Sequence, residues 1–226
     1  MNVIVFASRK GGSGKSTLAA HLAAQVHKSS RPCLLIDADP QASLSLWHTL
    51  RGTGEPPIKT AVRSVSEMVR SARQTDTEYV FIDTPPTMSA LVEDAVRAAT
   101  LVVIPARPSV FDVAAVKDTI ALCRSLRRPY AVVINGAPVK REGVESPAVT
   151  EVREGLAKHR IPVWSGQITN RLTYTLALGA GEGVREFDAE SLAAAEMSRL
   201  WSAIERSVDA IHAAHAAAKA GQGQAA

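Results

Sequence analysis

Only two cysteines occur in the 226 residues, Cys33 and Cys123, and neither belongs to a C-x-x-C pair. That leaves no disulfide framework, and both thiols, set in apolar stretches, read as reduced core residues of a cytosolic protein. Aromatic residues are scarce at 4%, so the core has to be built from Ala, Val, Leu and Ile. No uninterrupted apolar stretch approaches the roughly 18 to 20 residues that span a bilayer. The opening Met1-Asn2-Val3-Ile4-Val5-Phe6-Ala7 lacks a basic leader and does not read as a signal peptide. The six histidines show no metal-ligand spacing. A cytoplasmic location is therefore expected. What is present is ordinary for a globular chain, 46% hydrophobic and 21% charged. The net charge of +4 is compatible with a polyanionic partner without establishing one.

Short apolar runs at 3–7, 33–36, 79–82, 101–104, 130–134 and 161–164 alternate with helix-like segments at 15–29, 65–74, 88–98, 111–126 and 147–159. Most runs are β-branched and lack polar alternation, as strands covered on both faces should. The expected fold class is α/β, a doubly wound, mostly parallel sheet with helices on both faces. A last helix is expected from about 189 to 215, with Leu192, Met197, Leu200, Trp201, Ile204, Val208 and Ile211 forming its apolar stripe. One domain is expected over 1–212, followed by a disordered Ala/Gly/Gln tail at 213–226. Residues 51–60, with two glycines and two prolines, read as a flexible loop.

The first apolar run leads into Arg9-Lys10-Gly11-Gly12-Ser13-Gly14-Lys15-Ser16-Thr17 and then a helix start. In that context the glycines remove Cβ atoms, so backbone N–H groups can close around phosphate oxygens. The helix behind them presents unpaired N–H groups and the positive end of its dipole. Nucleotide binding by Gly11, Gly12, Ser13, Gly14, Lys15, Ser16 and Thr17 follows. Lys15 lies along the β- and γ-phosphates, Ser16 meets Mg²⁺ and Thr17 reaches the α-phosphate. Two further runs end in carboxylates, at Asp37-Ala38-Asp39-Pro40-Gln41 and at Asp83-Thr84-Pro85-Pro86. A carboxylate at a strand end beside such a loop can hold Mg²⁺, directly or through water.

Arg9 stands where the general G-x-x-x-x-G-K-[ST] pattern has its first glycine, and Lys10 opens the glycine run. This arrangement is a deviant Walker A motif, and the chain resembles the ParA/MinD family of ATPases, most of all its small ParF-type members. The resemblance implies a P-loop NTPase using ATP and Mg²⁺. It makes Lys10, Lys15 and Asp39 catalytic: Lys10 reaches the partner's phosphates across a nucleotide-sandwich homodimer, and Asp39 orients the attacking water. Asp83 positions Mg²⁺ through a water, Asp37 supports the metal shell, and Asn135 recognises adenine. It further implies that the dimer binds DNA nonspecifically on the nucleoid, and that a ParB-like or cargo adaptor stimulates slow hydrolysis to segregate DNA or position cargo. The short N-terminus leaves no helix-turn-helix domain such as larger plasmid ParA proteins carry. Thr173 stands where longer relatives have a DNA-contacting arginine, so the DNA candidates are Arg171, Arg185, Arg199 and Arg206, beside Arg124, Arg127 and Arg128. A MinD-like membrane cycle is the alternative. It calls for a bulky apolar terminal helix, whereas this end is Ala-rich, and stable membrane association is not expected. A redox or ligase-type relative is the third class.

Overall fold

The β-branched runs find cover on both sides. The computed structural model describes residues 1–61 and 64–223. Its sheet comprises β1 (Asn2–Phe6), β2 (Cys33–Asp37), β3 (Ile58–Thr60), β4 (Tyr79–Asp83), β5 (Leu101–Ala106), β6 (Tyr130–Ala137) and β7 (Ile168–Thr169). They lie in the order β3-β2-β4-β1-β5-β6-β7, all pairs parallel. The helices are α1 (Lys15–Val26), α2 (Ser43–Arg51), α3 (Val65–Ala72), α4 (Ala90–Ala98), α5 (Val110–Ser125), α6 (Pro147–Lys158), α7 (Leu172–Gly179), α8 (Val184–Phe187) and α9 (Leu192–Gly223).

Because side chains alternate along a strand, each strand feeds two cores. Val3, Val5, Ile36, Val80, Ile82 and Ile104 pack with residues of α3 to α6 on one face. Ile4, Phe6, Leu35, Phe81 and Val103 pack with α1, α2 and α9 on the other. Most of the few aromatics gather on this second face. Trp201 of α9 stands edge-on to Tyr79, ring centroids 5.0 Å apart, and tilted against Phe81 at 6.0 Å. One bulky cluster thus anchors the longest helix to the middle of the sheet.

The structure departs from the sequence reading at several places, the unexpected short helices α7 and α8 among them. Residues 43–51 form α2, although Ser43-Leu44-Ser45-Leu46 alternates like a strand; Leu44 and Trp47 are buried while Leu46 and Leu50 are exposed. Within the expected loop at 51–60, Ile58–Thr60 pairs with β2 as an edge strand. The run at 161–164 makes only a bridge, Val132 to Val163, because Pro162 has no N–H to give a ladder, and β7 follows instead at Ile168–Thr169. Finally, α9 runs to Gly223 rather than ending near 215, as its alanines favour. Residues 224–226 of the expected tail lie outside the described residues. No helix among the described residues is long and apolar enough to cross a membrane.

His21 fastens α1 to α8. It is fully buried, and its Nδ1 accepts the Val184 N–H at 3.0 Å. Burial lowers its pKa to about 4. A histidine whose folded pKa lies below its unfolded value of about 6.5 contributes a penalty on acidification, so its share of stability is lost as pH falls from 6.5 towards 4. Replacing it by Gln, whose carbonyl can still accept the N–H without titrating, should remove that share. The wild type is expected to lose about 3 kcal/mol more than His21→Gln between pH 7 and 4, measured by urea denaturation; equal losses would refute the assignment.

Candidate functional site

Register places the acidic groups before any loop is considered. β1 pairs with β4 so that Phe6 stands opposite Asp83, and β2 pairs with β4 so that Asp37 stands opposite Asp83. Both carboxylates therefore lie at the C-terminal edge of the sheet, beside the loop that leaves β1. That loop turns through left-handed conformations at Gly12 (φ 69°) and Gly14 (φ 99°), which a side chain would strain. It ends at α1, whose first turn has neither a side-chain cap nor an acidic residue. Its leading N–H groups are thus left for an anion.

Lys15 is the first residue of α1 and is buried, with Nζ 3.4 Å from the Lys10 carbonyl. Burial lowers its pKa, while Asp83 and Asp39 act in the opposite direction. Asp37 is fully buried but committed: Oδ2 accepts the Ser45 N–H at 2.8 Å and the Ser45 hydroxyl at 2.6 Å, and Oδ1 accepts the Asp39 N–H at 3.2 Å. Asp37, expected to support the metal shell, thus has both oxygens engaged in bracing the first turn of α2 and the Asp39 turn. Asp39 opens onto the cleft, its Oδ1 accepting the Gln41 N–H at 3.0 Å.

Asp83 differs from both. It is fully buried and neither carboxylate oxygen completes a hydrogen bond. Burial pushes its pKa up to about 7, against the nearby Ser16 hydroxyl and Lys15, which favour the anion. An orphaned carboxylate facing a serine hydroxyl is the donor set a hydrated Mg²⁺ completes, since this ion keeps several waters and takes one or two protein oxygens. No cluster of three His, Cys, Asp or Glu side chains forms a metal cage among the described residues, consistent with an ion whose other ligands are water and phosphate.

Asn135, expected at the adenine, is turned to the loop. Its Nδ2 donates to the Ser13 carbonyl at 2.7 Å, and a Cβ on Gly14 would come within 2.0 Å of that nitrogen. The amide therefore fixes the loop's shape from β6. Above it opens a cleft of about 500 Å³ lined by Gly11, Gly12, Gly14, Lys15, Ser16, Thr17, Asp39 and Asn135 among others. Its far end is lined by Trp47, Ile168, Arg171 and Tyr174. Arg171, expected on DNA, is held there: its Nη2 donates to Glu196 Oε1 at 3.0 Å, while Tyr174 and the Thr169 N–H donate to Oε2. Lys10 does not line this cleft, whereas Arg107 does. The Arg107 side chain lies 3.8 Å from a Cβ built on Gly136 and 4.0 Å from one on Gly12. Sequence reading missed Arg107, which follows β5 in no motif; only the sheet order, with β5 between β1 and β6, brings it to the loop.

The profile of the CobQ/CobB/MinD/ParA nucleotide binding domain matches residues 4–172. Protein ParA from Rhizobium radiobacter is 38% identical over 117 residues, which cover 50% of this chain and 51% of that protein. The chain thus spans about half the length of the curated relatives it matches. Among solved structures, apo McdA from Cyanothece superposes with a TM-score of 0.73 at 18% identity, covering 92% of this chain and 99% of that one. MinD from Pyrococcus horikoshii, complexed with Mg-ADP, gives 0.67 at 16% identity, covering 90% and 95%. At such identities these likenesses speak for the fold alone.

Two outcomes test the site. Gly14→Ala should abolish nucleotide binding measured by calorimetry, because the new methyl displaces Asn135 and strains a positive φ; wild-type affinity would contradict the geometry. Asp83→Asn should stabilise the nucleotide-free protein at pH 8, where the wild type holds a buried charge. The gain should shrink as pH falls through 7 and vanish only below the unfolded value of about 4, where Asp83 is neutral in both states; a melting-temperature difference independent of pH would contradict it.

Proposed function

We propose that this chain, which belongs to the CobQ/CobB/MinD/ParA family of nucleotide-binding domains, is an ATP-dependent positioning ATPase. ATP and Mg²⁺ close two copies face to face, the dimer binds DNA without reading sequence, and a ParB-like or cargo-borne adaptor triggers hydrolysis and release. The observation that carries the ATPase half is the orphaned Asp83 carboxylate beside Ser16 and Lys15, at the foot of an uncapped helix.

In this reading the loop N–H groups and Lys15 hold the β- and γ-phosphates, with Asn135 keeping the loop in register. Ser16 and, through water, Asp83 would hold Mg²⁺, which would supply charge neutralisation at those phosphates. Asp39, in the cleft and steadied by the Gln41 N–H, orients the attacking water. In this reading Lys10 acts towards the partner's phosphates. The positive charge it brings acts where negative charge develops.

The DNA half rests on other residues. Arg199 and Arg206 flank Trp164, Ser198 and Ser202 along a shallow surface of about 520 Å³, suited to phosphate contacts that carry no sequence information. Arg185 is exposed on α8. Arg171 drops out, since its guanidinium is engaged by Glu196. A relative from Gloeobacter kilaueensis, maintenance of carboxysome distribution protein A, supports cargo positioning as well as partition. The compartment that follows is the cytoplasm, on the nucleoid.

Lys10→Ala should still bind ATP but fail to dimerise with it in sedimentation, and should hydrolyse it about 10² times more slowly or worse. Wild-type dimerisation and turnover would end the sandwich reading. DNA affinity, followed by anisotropy, should fall steeply as salt rises; insensitivity to salt would end the phosphate-contact reading.

A further inference from the structure

On the edge of the sheet opposite the nucleotide cleft, just before β5 and β6, lies a second cavity of about 430 Å³. Its lining includes Arg73, Arg127, Arg128, His212, His215 and Thr100, and no carboxylate. This contrasts with several arginines elsewhere. Arg31, Arg51, Arg97, Arg153 and Arg171 each sit on a glutamate. Three guanidinium groups from α3's end and α5's end are here brought together with two imidazoles of α9, one of them bonded to the Asn2 side chain at 2.7 Å. Like charges converging without a counter-ion repel, and a bound anion would relieve that repulsion.

Two local features sharpen this. The chain leaves α5 through a Schellman turn, with the Arg128 N–H bonded to the Cys123 carbonyl at 2.8 Å and the Arg127 N–H to that of Arg124 at 3.0 Å. Arg127 occupies the left-handed position of that turn, φ 52°, which glycine favours and which costs any other side chain. An arginine in that position directs a charge to the cavity at the expense of backbone comfort. In addition, the Nε of Arg128 is buried with no hydrogen-bond partner among the described residues, and Nη1 makes only a long contact, 3.5 Å, to the Ala99 carbonyl. Arginines do serve to neutralise the C-terminal ends of helices, and α3, α4 and α5 all end nearby. Each end, however, carries about half a charge, largely screened, against three full charges.

We infer that this cavity is a second anion site, built for phosphate groups and separate from the nucleotide cleft. Their source is either the backbone of duplex DNA or a free polyphosphate. The inference does not depend on ATP hydrolysis. If the DNA arm is the one that responds, it deepens the reading of DNA binding above by assigning contacts to this edge of the sheet.

The test uses the full chain with Mg-ADP saturating the cleft. Duplex DNA is titrated by anisotropy and inorganic pyrophosphate by calorimetry, for wild type, Arg73→Ala with Arg128→Ala, and Arg127→Gly. The double variant should weaken at least one ligand about tenfold, and Arg127→Gly should weaken the same ligand while melting no lower than wild type, because glycine relieves the left-handed turn. Loss of DNA alone identifies the backbone as the source, with a shallower salt dependence; loss of pyrophosphate alone identifies a free anion. Wild-type affinities for both ligands in both variants overturn the inference. DNA binding absent from the wild type itself, with pyrophosphate binding intact and lost in the variants, sinks the DNA reading above and leaves this site standing.

Discussion

A carboxylate sealed from water with neither oxygen completing a hydrogen bond is expensive, and this protein keeps one beside the loop that leaves β1. Asp83 sits at the end of β4, shares its register with Phe6 on one side and Asp37 on the other, and has burial enough to raise its pKa to about 7. The surrounding groups can be understood as the conditions under which that charge is acceptable. Lys15 is buried opposite it, Ser16 offers a hydroxyl, and α1 points its uncapped, positive end across the same space. Uncompensated buried charge is tolerated where a site awaits its ligand. Loop, helix and sheet edge form one electrostatic unit, fixed by which strands lie next to one another.

The groups around that unit divide into those that face the cleft and those that hold such groups in place. Asp37 spends both oxygens on the start of α2 and the Asp39 turn. Asn135 spends its amide on Ser13. Glu196 gathers Arg171, Tyr174 and the β7 backbone, so that the far end of the cleft is framed by a partly buried ion pair. Removing one member of such a pair leaves the other charged and unpaired, which costs far more than the pair contributes. Recognition and support thus come from the same residue types, and only partners distinguish them.

That division marks how far the sequence could be read. The parallel sheet, the phosphate loop and the two acidic strand ends were legible because each depends on local chemistry: β-branched runs, glycines that permit positive φ, a carboxylate after an apolar strand. α2 was not, because Leu44 and Leu46 alternate while burial falls on Leu44 and Trp47 at helical spacing. β7 was displaced because Pro162 interrupts the more obvious run. Side-chain commitments were the least legible. Nothing near Arg171 in the chain announces Glu196, twenty-five residues on and in another helix, and nothing near Asn135 announces Ser13. Arg107 reaches the loop only by virtue of strand order.

The length of α9 carries a different message. At 1.5 Å per residue its 32 residues extend about 48 Å, and packing holds only part of that. Val208 is its last fully buried side chain, Ile211 is half-buried, and those from His212 to Ala220 are exposed. Up to Ile211 the helix is fixed by the sheet and by Trp201. Beyond it the domain offers only the His212 contact to Asn2 and the cavity that His215 helps to line, and past those points persistence rests mainly on alanine's intrinsic preference and on continuity with the turns behind it. The terminal turns are therefore governed by solvent and temperature rather than by the domain: a strut whose reach shortens on warming while the body that carries it keeps its shape.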